Sequence, residues 1–150
     1  MKNTRTAIFA LMRALNQINS HYDESAKQYD IKEPELWLMY GLSEGEPFSQ
    51  KQFCEEWMVS RTTLNTIVKD WEKKGYLSLT PIPGKRREMT ISLTPAGKEW
   101  TQTYLQKLFR METEAMEATI AQYSESFIEV VQFFEQQLKE NLKKEFFDSN

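Results

Sequence analysis

The sequence has little of the residue types on which metal sites and many enzymes depend. Its 150 residues include one cysteine, Cys54, and one histidine, His21. A single cysteine excludes a disulfide within the chain and any zinc site that needs several thiolates. One histidine also argues against catalysis by Ser–His or Cys–His pairs, and no glycine-rich phosphate loop or nucleophile elbow is present. We therefore expect no enzyme, no metal and no cofactor.

Long hydrophobic runs are also absent. No apolar stretch approaches the roughly 20 residues that a membrane helix needs, and residues 1–5 do not open a signal-peptide core. We therefore expect a cytoplasmic protein that makes no membrane contact. The chain is nevertheless 40% hydrophobic and 13% aromatic, which excludes a disordered segment and is enough to bury a core in one domain.

Charge is distributed unevenly along the chain. The formal net charge is -3, yet residues 60–87 hold seven basic and two acidic residues. A basic block in an acidic chain is either a solvated face or an anion-binding surface, because the local field matters more than the net charge. The pattern of the flanking residues has to distinguish these two interpretations.

Capping signals predict two short helices in close succession. Apolar spacing first predicts helices over 6–29 and 35–42. Ser49 then precedes Gln52 at the spacing of a capping box, and Ser60 is placed to cap a second helix that ends at Gly75. Two short helices joined by so few residues indicate a helix-turn-helix.

A change to a period of two predicts a β-hairpin after these helices. Apolar and polar residues alternate over 77–80 and 89–93, and the turn-forming segment between them, 81–88, is basic. The dipeptide Thr94-Pro95 marks a new helix start, and a long helix follows that breaks around Tyr123-Ser124 before a last, strongly apolar helix.

The second helix of the pair has one apolar and one polar face. Its apolar residues recur at helical spacing and are expected to be buried: Leu64, Ile67, Val68 and Trp71. The opposite face carries donors, acceptors and positive charge that suit base edges and phosphates: Arg61, Thr62, Asn65, Thr66, Lys69 and Lys73. We expect this face, together with Arg86 and Arg87 at the hairpin tip, to bind DNA.

Two segments resemble a known family. The run Val59-Ser60-Arg61-Thr62-Thr63-Leu64, continued to Leu77, and the run from Lys85 through Leu93-Thr94 to Gly97 are similar to the winged helix-turn-helix of MarR-type transcriptional regulators. The resemblance implies a mainly α fold with a small β-hairpin wing. A winged helix-turn-helix lobe would then span 31–97, with a helical dimerisation region over 1–30 and 98–150.

The resemblance also assigns roles to individual residues. Ser60 through Lys69 would form the recognition helix, and Arg87 would take the place of the wing-tip arginine that enters the minor groove. Lys85 stands where the family usually has an Asp, and Thr66 where a basic or amide side chain is common. The full set of expected DNA-binding residues is Ser49, Gln50, Ser60, Arg61, Thr62, Thr63, Asn65, Thr66, Lys69, Lys73, Lys85, Arg86 and Arg87.

The implied function is a homodimeric, DNA-binding transcriptional repressor on a near-palindromic operator. The excess apolar surface of the terminal helices either caps a core or pairs subunits, and the resemblance favours pairing through Ile8, Leu11, Leu15, Phe127, Val131, Phe134 and Leu138. The resemblance further implies a small aromatic effector, whose pocket would be lined by Trp37, Tyr40, Trp57, Trp100 and Tyr104.

Two alternatives remain open at the level of sequence. The basic face could dock an acidic protein partner, or the chain could respond to thiol chemistry through Cys54. Acidic neighbours are expected to raise the pKa of this thiol, which argues for a structural cysteine.

Overall fold

The computed structural model describes residues 3–43, 45, 48–85 and 88–147. Within them the chain forms helices α1 to α6 and strands β1 to β3. In chain order these are α1 (Thr4–Lys27), α2 (Glu33–Ser43), β1 (Phe48–Ser49), α3 (Gln50–Glu56), α4 (Arg61–Lys73), β2 (Leu77–Pro81), β3 (Met89–Leu93), α5 (Pro95–Tyr123) and α6 (Ser126–Phe146). The predicted fold class, mainly α with a small β wing, is confirmed.

The chain divides into two compact units, residues 1–108 and residues 109–150. The first unit holds every buried hydrophobic residue found in the described part of the chain: Ala26, Ile31, Leu36, Leu38, Met39, Leu42, Phe53, Leu64, Ile67, Val68, Trp71, Leu77, Ile91, Tyr104, Leu105 and Leu108. In the second unit, none of the described residues is buried. The core therefore belongs to the helix-turn-helix and the elements around it.

The first two helices form close to where apolar spacing predicts them. Helix α1 begins and ends two residues before the predicted 6–29, because Asn3 caps it by accepting a 3.0 Å hydrogen bond from the Arg5 amide. Its end is fixed by a turn in which Asp30 adopts a positive φ of 53°. Helix α2 exceeds the predicted 35–42 by two residues at its start and one at its end, with Pro34 in its first turn, where proline is tolerated.

Both predicted caps of the helix-turn-helix are present. The Ser49 hydroxyl accepts a 3.1 Å bond from the Gln52 amide, and the Gln52 side chain accepts a 3.0 Å bond from the Ser49 amide. At the next helix, Ser60 accepts a 3.1 Å bond from the Thr63 amide. The turn between α3 and α4 passes through Met58, which has a φ of 53° and is 88% exposed.

The wing contains one more strand than the sequence predicts. Strand β3 pairs antiparallel with β2, with Leu79 opposite Ile91, and its other edge pairs with the two-residue strand β1, where Ser49 lies opposite Thr90. The order across the sheet is β1-β3-β2. Alternation cannot reveal a strand of two residues, yet β1 ties the start of α3 to the wing.

Helix α5 begins at the predicted Thr94-Pro95 signal. The Thr94 hydroxyl accepts a 3.0 Å bond from the Gly97 amide and donates a 2.6 Å bond to the Gly75 carbonyl, which joins the end of α4 to the start of α5. The predicted break near Tyr123-Ser124 is confirmed, because Ser124 adopts a φ of 71° between α5 and α6. No helix among the described residues is both long and apolar enough to cross a membrane.

Candidate nucleic-acid interface

Helix α4 presents the polar face that the sequence predicts. Its buried residues are the four expected ones, Leu64, Ile67, Val68 and Trp71. The expected polar residues are exposed, apart from the half-buried Thr63: Ser60, Arg61, Thr62, Asn65, Thr66, Lys69 and Lys73. Since the apolar face packs into the core, the polar face cannot rotate away, and the helix offers a fixed array of donors and charges.

Hydroxyl groups on this face are already engaged by the helix itself. The Ser60 and Thr63 hydroxyls lie 2.8 Å apart, and the Thr66 hydroxyl donates a 3.0 Å bond to the Thr62 carbonyl. Such bonds fix the hydroxyl rotamers, so contacts to a ligand would use the remaining lone pairs or the methyl groups. The longer exposed side chains, Arg61 and Asn65 among them, can reach further from the helix.

A cavity of about 350 Å³ lies beside Arg61 and Asn65. It brings together the first turn of α3, the first half of α4 and the start of β3. Its lining residues are Gln50, Lys51, Cys54, Arg61, Leu64, Asn65, Glu88 and Met89. The two consecutive helices and a segment more than 20 residues further along the chain therefore meet around one mostly polar depression on the predicted DNA-binding face.

The wing loop is organised around Glu88. The Glu88 carboxylate lies 2.9 Å from Lys85 Nζ, and the Ile82 amide donates a 3.1 Å bond to the Glu88 carbonyl. This pairing holds the pKa of Glu88 below its usual range, chiefly through the Lys85 hydrogen bond and also through the positive charges of Lys51 and Arg61. The predicted wing-tip residues Arg86 and Arg87 lie outside the described residues.

Two of the predicted DNA-binding residues have other primary contacts. Ser49 is 7% exposed and caps α3 from within strand β1, where its hydroxyl accepts the bond from the Gln52 amide, and its role as a DNA contact stays a prediction. Lys85 is exposed, but its ammonium group is paired with Glu88 rather than extended from the wing. Gln50, by contrast, is half-buried and lines the cavity.

Sequence reasoning missed two charged residues of this surface, Lys51 and Glu88. Lys51 is exposed on α3, where its ammonium lies 3.9 Å from Glu55, and it also lines the cavity. Lys51 directly follows Gln50, a predicted DNA-binding residue, at the start of a capped helix, and this position could have indicated it. Glu88 carried no such signal, because its place depends on the folded hairpin.

The five aromatic residues predicted to line an effector pocket do not form one group. Trp37, Tyr40 and Trp57 contact one another, with ring centroids 5.6 to 6.2 Å apart. Trp100 packs instead against Trp71 at 5.0 Å and Tyr76 at 4.4 Å, whereas Tyr104 packs against Tyr29 at 4.9 Å. Trp100 and Tyr104 thus have ring partners outside the first group, and the five-residue effector pocket stays a prediction.

Cys54 is a half-buried thiol with a raised pKa. Burial raises the pKa most, and the predicted cause, an acidic neighbour, is a smaller contribution from Glu55. The positive charge of Arg61 acts in the opposite sense and lowers the pKa. Within the described ranges, no three or more His, Cys, Asp and Glu residues come together as a metal site.

The terminal helices expose large apolar side chains. On α1, Ile8 is 42% and Leu15 38% exposed, and Leu11 is half-buried. On α6, Val131 is 48% and Leu138 57% exposed, with Phe127 and Phe134 half-buried. All seven residues predicted for subunit pairing thus lie outside the core of this chain.

Known proteins share both sequence and fold with this chain. A sequence model of the MarR family matches residues 29–88. The HTH-type transcriptional regulator PecS of Dickeya dadantii is 33% identical over 87 residues, which are 57% of this chain and 49% of PecS. The match thus spans about half the length of this relative.

Solved structures resemble the chain over nearly its whole length. NMB1585, a MarR family regulator from Neisseria meningitidis, has a TM-score of 0.73 at 20% identity, covering 96% of this chain and 99% of its own. Overoxidized AbfR bound to DNA has a TM-score of 0.64 at 18% identity, covering 93% and 95%. At these identities the likeness shows the fold alone. By its sequence match, the winged helix-turn-helix of this chain, in residues 29–88, is of the MarR type.

Proposed function

We propose that this protein is a transcriptional regulator that binds double-stranded DNA through the polar face of α4. The observation that carries the proposal is the arrangement of Arg61, Asn65 and Lys69 on one exposed face of a helix whose other face is buried. An α-helix of this kind fits the major groove, which is about 12 Å wide. AbfR, which shares this fold, has been solved bound to DNA.

The residue types on α4 divide into two kinds of contact. Arg61 and Asn65 lie at the cavity near the start of the helix, and their side chains can form paired hydrogen bonds with guanine and adenine. Lys69 and Lys73 follow on the exposed face and are suited to phosphates, as is Lys51 on α3. We assign sequence recognition to the first pair and positioning on the backbone to the lysines.

We further propose that the protein acts as a homodimer. The described residues of α6 include none that is buried, although the helix carries several phenylalanine, valine and leucine side chains. Pairing with a second copy would remove this apolar surface from water, which stabilises the assembly. A two-fold dimer places two copies of α4 about one helical turn of DNA apart, so the operator would be near-palindromic.

Repression and its release by a small aromatic compound complete the proposal. A bound dimer on a promoter would exclude the transcription machinery by occupying the same DNA. The half-buried rings of Trp37, Tyr40 and Trp57 offer stacking surface for such a compound.

Selection of genomic fragments with the purified protein tests the DNA-binding function. We expect a short inverted repeat to be enriched, and its affinity to fall steeply with salt because phosphate contacts release counterions. A shuffled duplex of equal composition is the control. If no duplex is enriched and binding to any duplex is weak, DNA recognition is overturned, and the basic face would instead serve an acidic protein partner.

A further inference from the structure

Glu88 lies where the wing meets the two helices of the helix-turn-helix. Its carboxylate is held 2.9 Å from Lys85 Nζ, and its backbone carbonyl accepts a 3.1 Å bond from Ile82. The Lys85 amide in turn donates a 3.1 Å bond to the Ile82 carbonyl. Backbone bonds to Ile82 therefore hold the backbone of both members of the ion pair in the wing.

Among the described residues that line the 350 Å³ cavity, Glu88 is also the only acidic one. Lys51 from α3 and Arg61 from α4 line the same cavity, and both act electrostatically on the Glu88 carboxylate. A charged carboxylate on a surface that is to meet phosphates opposes binding, since like charges repel. The Glu88 carboxylate therefore does not serve to increase the affinity for DNA.

We propose that Glu88 is a specificity-determining residue of the DNA-reading surface: it pairs with Lys85 and attracts Lys51 and Arg61, and so withholds these cations from indiscriminate phosphate contacts. The inference rests on the proposed DNA-binding function and adds to it a residue that limits binding.

The pairing of Lys85 with Glu88 should weaken binding to arbitrary DNA most. Affinity for any duplex depends on cations that displace counterions, and the logarithm of the affinity changes with the logarithm of salt by about 0.9 for each phosphate neutralised. A lysine already paired with a carboxylate contributes less to this release. Freeing one lysine per wing is therefore worth about ten-fold in affinity near 0.1 M salt.

Binding to the operator should gain less from the loss of Glu88. There Arg61 is assigned to a base edge, and the attraction of Glu88 helps to keep its guanidinium over the cavity beside Asn65 instead of on the backbone. Removing the carboxylate frees Lys85 but also releases Arg61 from this orientation. The two effects oppose each other at the operator but not at other sequences. The ratio of operator affinity to affinity for other sequences should therefore fall.

The test is Glu88→Gln, which removes the charge and keeps the shape. The variant, its parent and Glu88→Asp are titrated at several salt concentrations against the duplex recovered by selection and a shuffled duplex. For each engaged wing, we expect Glu88→Gln to bind the shuffled duplex about ten-fold more tightly and to have a salt slope steeper by about 0.9. The recovered duplex should gain by a smaller factor, and Glu88→Asp should behave as the parent does.

Two further variants separate the proposed role from a general charge effect. Glu99→Gln makes the same charge change at an exposed position of α5 and should leave both affinities unchanged. In a Lys85→Ala background, Glu88→Gln should have a smaller effect on the shuffled duplex, because the main withheld cation is gone. An equal effect in both backgrounds would overturn the role of the Lys85 pair.

The outcomes distinguish this inference from the proposed function. If the parent prefers the recovered duplex but Glu88→Gln leaves both affinities and the salt slope unchanged, Glu88 does not limit binding and the inference is overturned. If the parent shows no preference for any duplex, the proposed recognition fails. The shuffled duplex still tests Glu88 in that case, since an unchanged affinity would overturn the withholding of Lys85.

Discussion

Gly97 lies directly against the backbone carbonyl of Tyr76. A Cβ atom built on Gly97 would overlap that carbonyl oxygen and lie 2.9 Å from the carbonyl carbon. The same oxygen accepts a 3.0 Å hydrogen bond from the Thr94 amide. Helix α5 thus begins in contact with the backbone that leads into strand β2, at a distance that only glycine permits.

Gly97→Ala should therefore destabilise the protein. The methyl group must push α5 away from Tyr76, and overpacking of this kind costs about 1 to 3 kcal/mol. Urea unfolding measures the loss in the free energy of unfolding. Lys98→Ala is the control, because Lys98 is exposed on the same turn. Equal stability of Gly97→Ala and the parent would contradict the close contact.

Met58→Gly should stabilise the protein. Met58 holds a φ of 53° while its side chain is 88% exposed, so it bears the backbone cost of a left-handed conformation with little packing in return. Glycine relieves left-handed backbone strain of about 1 to 2 kcal/mol but loses more conformational entropy on folding. The net gain in the free energy of unfolding is roughly 0.5 to 1 kcal/mol. Thermal unfolding measures it.

The matched control for this turn is Met58→Ala. Alanine removes the exposed side chain but keeps the Cβ atom, so its stability should stay close to that of the parent. Glycine and alanine variants of equal stability would show that the left-handed residue carries no strain.

Leu138→Glu should dissociate the proposed dimer. Leu138 is 57% exposed on α6, and a carboxylate at an apolar subunit interface would have to be buried without a partner. We expect the dimer dissociation constant to rise roughly 100-fold or more, as measured by sedimentation. Gln132→Glu adds the same charge at another exposed position of α6 and should stay dimeric. A dimeric Leu138→Glu protein would count against pairing through α6.

Cys54 should be slow to alkylate at neutral pH. Only the thiolate reacts, and burial raises the pKa of Cys54, so at pH 7 its thiolate fraction is smaller than that of an ordinary thiol. The rate with iodoacetamide should rise with pH and level off only above the ordinary thiol range. A midpoint at or below that range would contradict the burial effect.

The effect of Arg61 on the pKa of Cys54 can be tested in the same way. Because its positive charge lowers the pKa of Cys54, Arg61→Gln should move the alkylation midpoint to higher pH. Lys69→Gln, which removes a charge elsewhere on α4, is the control and should leave the midpoint in place. A shift of equal size in both variants would show a general field effect and not one from Arg61.

Asn65→Ala and Lys69→Ala should weaken DNA binding in different ways. Loss of the amide at a base edge should cost about 1 to 3 kcal/mol at one base pair and relax the preference there. Loss of Lys69 should weaken binding to all sequences and reduce the salt slope by about 1. Titration against the recovered duplex and its single-base variants measures both. The same profile for both variants would refute the division of roles.

Local patterns in the sequence were sufficient for the helix-turn-helix. The period of 3.6 identifies all four buried residues of α4, and the caps at Ser49 and Ser60 lie where hydroxyl residues precede helical spacing. These features depend on neighbours within four residues, so no tertiary information is needed to find them.

Features that depend on distant residues could not be predicted in this way. Strand β1 has only two residues and exists because β3 lies beside it. The role of Glu88 arises where the wing meets α3 and α4. The ring contacts of the aromatic residues depend on distant residues in the same way: residue type cannot show that Trp100 of α5 packs against Trp71 of α4.

Strand β1 connects the wing to the start of α3, so the two should open together. Ser49 is at once a partner of Thr90 in the sheet and the cap of α3, so an opening that displaces Ser49 disturbs both the sheet and the start of the helix. Amide protons in β3 and in the first turn of α3 should therefore exchange with solvent through one common opening event, with a single free energy. Wing and helix, though about 40 residues apart in sequence, would lose and regain their order together.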